Sequence, residues 1–100
     1  MYIIQLTFTD QKHRANDFMD GHKAWINKGF DEDVFLLVGS LEGGTGGCIL
    51  AHNITPSELK SRIQADPFVK EQIVQPHMQA VTPVRAEERF AFLMSESQSS

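Results

Sequence analysis

The chain opens on an alternation of period two. Tyr2, Ile4, Leu6 and Phe8 are apolar while Gln5 and Thr7 are polar, so Tyr2 to Thr9 reads as a strand with one face inward. At Gln11 the period changes. Over Gln11 to Phe30, at about 100° per residue, Ala15, Phe18, Met19, His22, Trp25, Ile26 and Gly29 fall within an arc of roughly 120°, which predicts an amphipathic helix. Asn16, Asp17, Asp20, Lys23 and Asn27 fall outside it. Thr9 or Asp10 can cap this helix and Gly29 can stop it, while Gly21 sits off the arc and weakens it.

Val34 to Leu41 is almost continuously apolar, as in a strand buried on both faces. Glu42-Gly43-Gly44-Thr45-Gly46 is a turn, and Gly47 to Ile54 returns as a third strand, closing a hairpin. Thr55-Pro56-Ser57-Glu58 starts a helix with a capping box; Leu59 and Ile63 point inward and the helix ends near Ala65. Asp66-Pro67-Phe68 starts another short helix, with Asp66 as its cap and Phe68, Val69, Ile73 and Val74 as its apolar positions. Gln79 to Arg85 reads as the last strand, at an edge or bulged because of Pro83. Arg89 to Met94 is too short to assign. Ser95 to Ser100 is polar and low in complexity, so a disordered tail is expected after a single domain at 1–94.

This order predicts an α+β, ferredoxin-like βαββαβ antiparallel sheet with its helices on one face. Strands two and three look apolar on both faces, and no further element remains to cover the second. A second copy of the sheet is the natural cover, so a homodimer with facing sheets is expected.

Composition narrows the function classes. With 100 residues, 41% hydrophobic and 22% charged, the chain has ordinary globular composition. A net charge of −4 argues against binding a phosphate backbone. Cys48 is the single cysteine, which rules out an intramolecular disulfide. The N-terminus lacks the basic and apolar regions of a signal peptide, and no run approaches the ~18 apolar residues of a membrane span. The expectation is a cytoplasmic protein with no membrane partner.

His22 is the leading candidate for chemistry. Near the centre of an apolar arc, an imidazole is either a core residue bonded to one buried partner or a general acid–base. The second role needs an orienting carboxylate at one ring nitrogen and an open cleft at the other. Asp66 is the acid to try, although Asp before Pro is also an ordinary helix cap; both roles fit together if one oxygen caps and the other reaches the ring. Asp17 and Asp20 face away, and Glu58 belongs to its capping box. His13 reads as solvated, His52 lies on strand three and His77 precedes strand four. Cys48 and His52 would stand about 13 Å apart along one strand, too far to share a metal, and no CxxC, HxxxH or HExxH occurs. The glycine turn lacks the Gly-Lys-Ser/Thr ending of a phosphate loop and precedes a strand. Trp25 reads as core or interface, with an indole N–H that needs a partner.

A spaced set of residues resembles a known family. His22-Lys23-Ala24-Trp25-Ile26 through Gly29, Val34 to Ser40, Thr45 to Ala51, Ala65-Asp66-Pro67-Phe68 and Thr82-Pro83-Val84 resemble the YciI-like (YCII-related) family, over roughly residues 1 to 93. The resemblance implies a ferredoxin-like subunit of a dimeric α+β barrel. It also implies a His–Asp dyad at His22 and Asp66. Some relatives are lyases that eliminate chloride from a hydroxylated chloroaromatic, and the wider superfamily resembles muconolactone isomerases and small monooxygenases. Two departures stand out. Ser40 replaces a frequent Pro, and Gly43-Gly44 replaces a frequent Pro-Arg, which removes a basic group from the loop. The reading is a lyase or isomerase with no required cofactor, acting on a small cyclic or aromatic molecule. The alternatives are a non-catalytic module binding a small molecule and, by superfamily analogy alone, a haem- or oxygen-using monooxygenase.

Overall fold

The N-terminal alternation becomes β1 (Tyr2–Phe8), with Ile4 and Leu6 buried and Gln5 and Thr7 exposed. The structure, a computed structural model, describes residues 1–94; the tail at 95–100, expected to be disordered, lies outside the described residues. After β1 come a single 3-10 turn (Lys12–Arg14), α1 (Ala15–Asp31), β2 (Phe35–Ser40), β3 (Gly46–Ala51), α2 (Pro56–Gln64), α3 (Pro67–Lys70), β4 (Val74–Ala80) and a second 3-10 turn (Glu88–Phe90). The strands form one sheet in the order β2-β3-β1-β4, every neighbour antiparallel, with Ile4 opposite Ile49 on one side and Met78 on the other. This is the ferredoxin-like arrangement that the element order predicts.

The helices lie on one face. Ile4, Leu6, Phe35, Ile49 and Ala51 of the sheet pack with Trp25, Leu59, Ile63, Phe68 and Ile73 in one buried cluster. Each fully buried Ile or Leu contributes about 1.5–3 kcal/mol, so this face supplies most of the stability. The Trp25 indole N–H finds its partner in the Arg62 carbonyl at 2.9 Å, which ties α1 to α2. The Thr55 hydroxyl accepts from the Glu58 amide at 3.2 Å, as the cap reading requires.

Several boundaries differ from the expectation, each for a physical reason. The last strand is Val74–Ala80 rather than Gln79 to Arg85. Val74, Pro76 and Met78 alternate with Gln75, His77 and Gln79, and Pro76 is tolerated because β4 is an edge strand. The short helix before it ends at Lys70, and Gln72 turns the chain at φ 59°, so Ile73 and Val74 belong to the entry into β4. Strand three stops at Ala51, ahead of Asn53 at φ 58°. Strand two is not buried on both faces in the single chain. A bulge falls between Phe35 and Leu37, and Leu37 is 51% exposed. Gly29 does not stop α1, which continues to Asp31 and reverses at Asp33, φ 58°. Instead Gly29 is buried, because a Cβ there would overlap the Phe35 ring.

Beyond β4 the Val81 amide donates to the Met1 carbonyl at 2.8 Å, and the chain then runs across the end of the sheet. Leu93 is buried there and the Phe92 ring meets His52 edge-on. Between this segment and the outer sheet face is an apolar groove of about 830 Å³ with Leu37, Leu50, Val84 and Phe90 on its walls.

Candidate active site

A cleft opens between α1 and the sheet because the inner residues shrink towards the β2–β3 hairpin. Across the sheet, the row Tyr2–Ala51–Phe35 is filled by a large ring, and the next row is Ile4–Ile49–Val38. The row after that is Leu6–Gly47–Ser40, which has one long side chain, one absent and one short. The unfilled space has a volume of about 340 Å³, at the lower end of the range for small-molecule sites. Leu6, Phe8, Val38, Ile49 and Phe68 make its walls apolar.

From α1 the cleft receives Met19, His22, Lys23 and Ile26. These stand at i, i+3, i+4 and i+7, a single helical stripe. Trp25 and Gly29, on the adjoining stripe, are buried in the core. The broad arc of the sequence therefore divides in two, one part core and one part cleft. Lys23, which the arc excluded, stands on the cleft rim, and Ser40 lines the opposite side. Neither was named as a site residue from the sequence. The i, i+3, i+4, i+7 spacing around His22 was the signal available for Lys23.

His22 and Asp66 are brought together across 44 positions of chain. The His22 Nδ1 lies 2.8 Å from Asp66 Oδ1, with side-chain exposures of 14% and 0%. An ionised carboxylate only accepts hydrogen bonds, so Nδ1 donates and the neutral ring keeps its acceptor at Nε2. Asp66 Oδ1 also accepts from the Phe68 amide at 3.0 Å, which caps α3. One oxygen thus serves both roles, where the sequence reading assigned a separate oxygen to each. Asp66 Oδ2 is buried and has no hydrogen-bond partner among the described residues. The imidazole lies flat on the Phe68 ring, 4.0 Å between centroids and 3° between planes, and Trp25 stacks at 5.9 Å. With Nδ1 engaged by a wholly buried acid, Nε2 is the ring nitrogen left for other partners, on a side chain that lines the cleft.

Gly21 helps set this distance. A Cβ there would come within 3.1 Å of the Pro67 Cγ, so the glycine allows α1 to approach the start of α3 closely. The residue that weakens the helix is thus adjacent to His22 and faces the neighbour of Asp66.

The other histidines stand apart from the cleft. His13 is exposed; His77 is exposed on β4 itself rather than ahead of it. His52 follows β3, buried, with Nε2 3.4 Å from Asp33 Oδ1. The glycine turn is a hairpin tip, with Gly43 and Gly44 at φ 85° and 71°. The Lys12 ammonium donates to the Gly44 carbonyl at 3.1 Å and lies 4.9 Å from the Phe8 ring centroid. Among the described residues no three His, Cys, Asp or Glu side chains come together as a metal site. No helix among them is long and apolar enough to cross a membrane.

A four-stranded antiparallel sheet in the order β2-β3-β1-β4 with its helices on one face makes this an α+β, ferredoxin-like fold. No family model and no curated protein matches the chain. Among solved structures it is similar to 5-chloro-2-hydroxyhydroquinone dehydrochlorinase (TftG) from Burkholderia phenoliruptrix AC1100, in complex with 2,5-dihydroxybenzoquinone. The TM-score is 0.70 at 15% identity, over 80% of this chain and 91% of that chain. At that identity the likeness establishes the fold.

Proposed function

We propose that the chain is a YciI-like lyase or isomerase that moves a proton on a small cyclic or aromatic substrate, with His22 and Asp66 as its working pair. The observation that carries this reading is the 2.8 Å contact between a cleft-lining imidazole and a wholly buried carboxylate. Such a pair fixes one tautomer and one ring orientation, which are the requirements for a general base.

The chemistry follows from the contacts. His22 Nε2 takes a proton from an O–H or C–H of the bound ring. The imidazolium that forms sits against Asp66, whose charge offsets it, and the Phe68 amide keeps Oδ1 in place. In an isomerisation the proton returns to a different atom. In an elimination a leaving group departs as an anion with the electron pair released by deprotonation. That the similar fold belongs to a dehydrochlorinase seen with a small quinone supports this choice of reaction class.

The same reading takes the protein to be a cytoplasmic homodimer. The half-exposed Leu37 and the apolar groove at Leu50 and Phe90 are surface that a second sheet would cover. One observation favours a second reading, a non-catalytic module for a small ligand: Asp66 Oδ1 already has a structural task as the α3 cap. A structural His22 would predict that His22→Leu lowers the melting temperature, because the buried Asp66 carboxylate loses its donor, without any effect on turnover.

Chloride release from 5-chloro-2-hydroxyhydroquinone separates the two. Wild-type protein is expected to release chloride, and His22→Gln to lose about 10²-fold or more in rate with an unchanged circular dichroism spectrum. Equal rates in wild type and His22→Gln would contradict the role of His22, and no release by either would remove the elimination from the reading.

A further inference from the structure

The proton-transfer reading leaves the charge of the substrate open, and the cleft itself addresses it. Among the residues lining the cleft, Lys23 is the only one with a permanent charge, and no carboxylate lines it. That is unexpected in a chain of net charge −4. Asp66, the nearest buried acid, is sealed at 0% exposure and engaged by His22. Asp20, one turn earlier on α1, makes no ion pair with Lys23 among the described residues, and the Lys23 ammonium has no hydrogen-bond partner among them. Lys12 is already committed to the Gly44 carbonyl, and Arg14 to Glu71.

We infer that the cleft takes a single small ring carrying an ionised oxygen, a carboxylate or a ring enolate, with the Lys23 ammonium as its anchor. The inference rests on the reading of the His22 cleft as a ligand site. His22 and Lys23 both line the cleft, so a ring bound there lies within reach of the imidazole and of the long, flexible lysine side chain. Leu6, Phe8, Ile26 and Val38 offer the ring an apolar wall, while the exposed Lys23 at the rim meets its charge. The same charge stabilises the negative oxygen that forms when His22 removes a proton.

Benzoate and benzamide test this, since they share a ring and differ in charge. Each is titrated at low ionic strength while the His22 imidazole signals are followed by NMR. Benzoate is expected to bind more tightly than benzamide. Lys23→Met should weaken benzoate roughly fivefold, the scale of a partly exposed ion pair, and leave benzamide unchanged, while Lys23→Arg restores the preference. Lys28→Met removes the same charge from the same helix away from the cleft and should change neither. Equal affinities in the wild type, or an equal loss in Lys28→Met, overturns the role of Lys23 and leaves the His22 cleft standing. If neither compound moves the His22 signals, the cleft reading itself fails, and the inference with it.

Discussion

Two His–Asp contacts occur among the described residues, and their burial is inverted. At His22 the carboxylate is wholly buried and the imidazole edge reaches a cleft. At His52 the imidazole is buried, at 5% side-chain exposure, and Asp33 is in water at 77%. The first acid is fixed by a backbone amide and holds the ring in one orientation. The second is on a turn, 3.4 Å away, where solvent screens it. The residue types are the same. What separates the proposed site from the other contact is which partner is desolvated and whether the imidazole lines a cleft.

The largest expected contrast is in stability. Asp66→Ala removes the α3 cap and leaves a largely buried imidazole without its acceptor, a loss of about 2–4 kcal/mol on combining the two costs. Asp33→Asn keeps a residue that tolerates the left-handed conformation and removes only a screened charge, so its effect should stay within about 0.5 kcal/mol. Urea denaturation of both variants checks the ordering, and equal losses would break the comparison.

A smaller effect belongs to the exposed ion pair beside Asp33. Arg62 hydrogen-bonds Glu32, and this bond, with the positive charge of Arg62 and Lys28, holds the Glu32 carboxyl below its usual value of 4.5. A folded-state value below the unfolded one stabilises above the ordinary carboxylate range and is lost as pH falls through the folded value. Stability should therefore drop on acidification below that range. In Glu32→Gln that portion of the slope should vanish, as denaturation midpoints across acidic pH will show.

Much of the fold was legible because its signals are local. The period-two run at Tyr2–Phe8, the helical arc of α1, the glycine hairpin and the caps at Thr55 and Asp66 all depend on near neighbours. β4 was misplaced because Val74 and Met78 also suit a helix face, and only pairing with β1 decides between them. Gly29 and Gly21 resembled a stop and a defect, since their packing partners, Phe35 and Pro67, are distant in sequence. His22 was legible as a polar residue on an apolar face, and the family resemblance supplied Asp66 as its partner. The shared use of one Asp66 oxygen was not legible, because it depends on the approach of two helices. Lys23 was passed over because one wide arc hid two narrower stripes.

The central claim is that Asp66 holds His22 as the Nδ1–H tautomer with Nε2 open to a ligand. Long-range proton–nitrogen NMR of the imidazole rings tests it directly, because it reports which ring nitrogen carries the proton. The account predicts a protonated Nδ1 and a bare Nε2 for neutral His22. Benzoate, added as a ring anion, should shift the Nε2 resonance of His22 and leave His52 unmoved. A His22 ring protonated at Nε2, or equal shifts at His22 and His52, would contradict it.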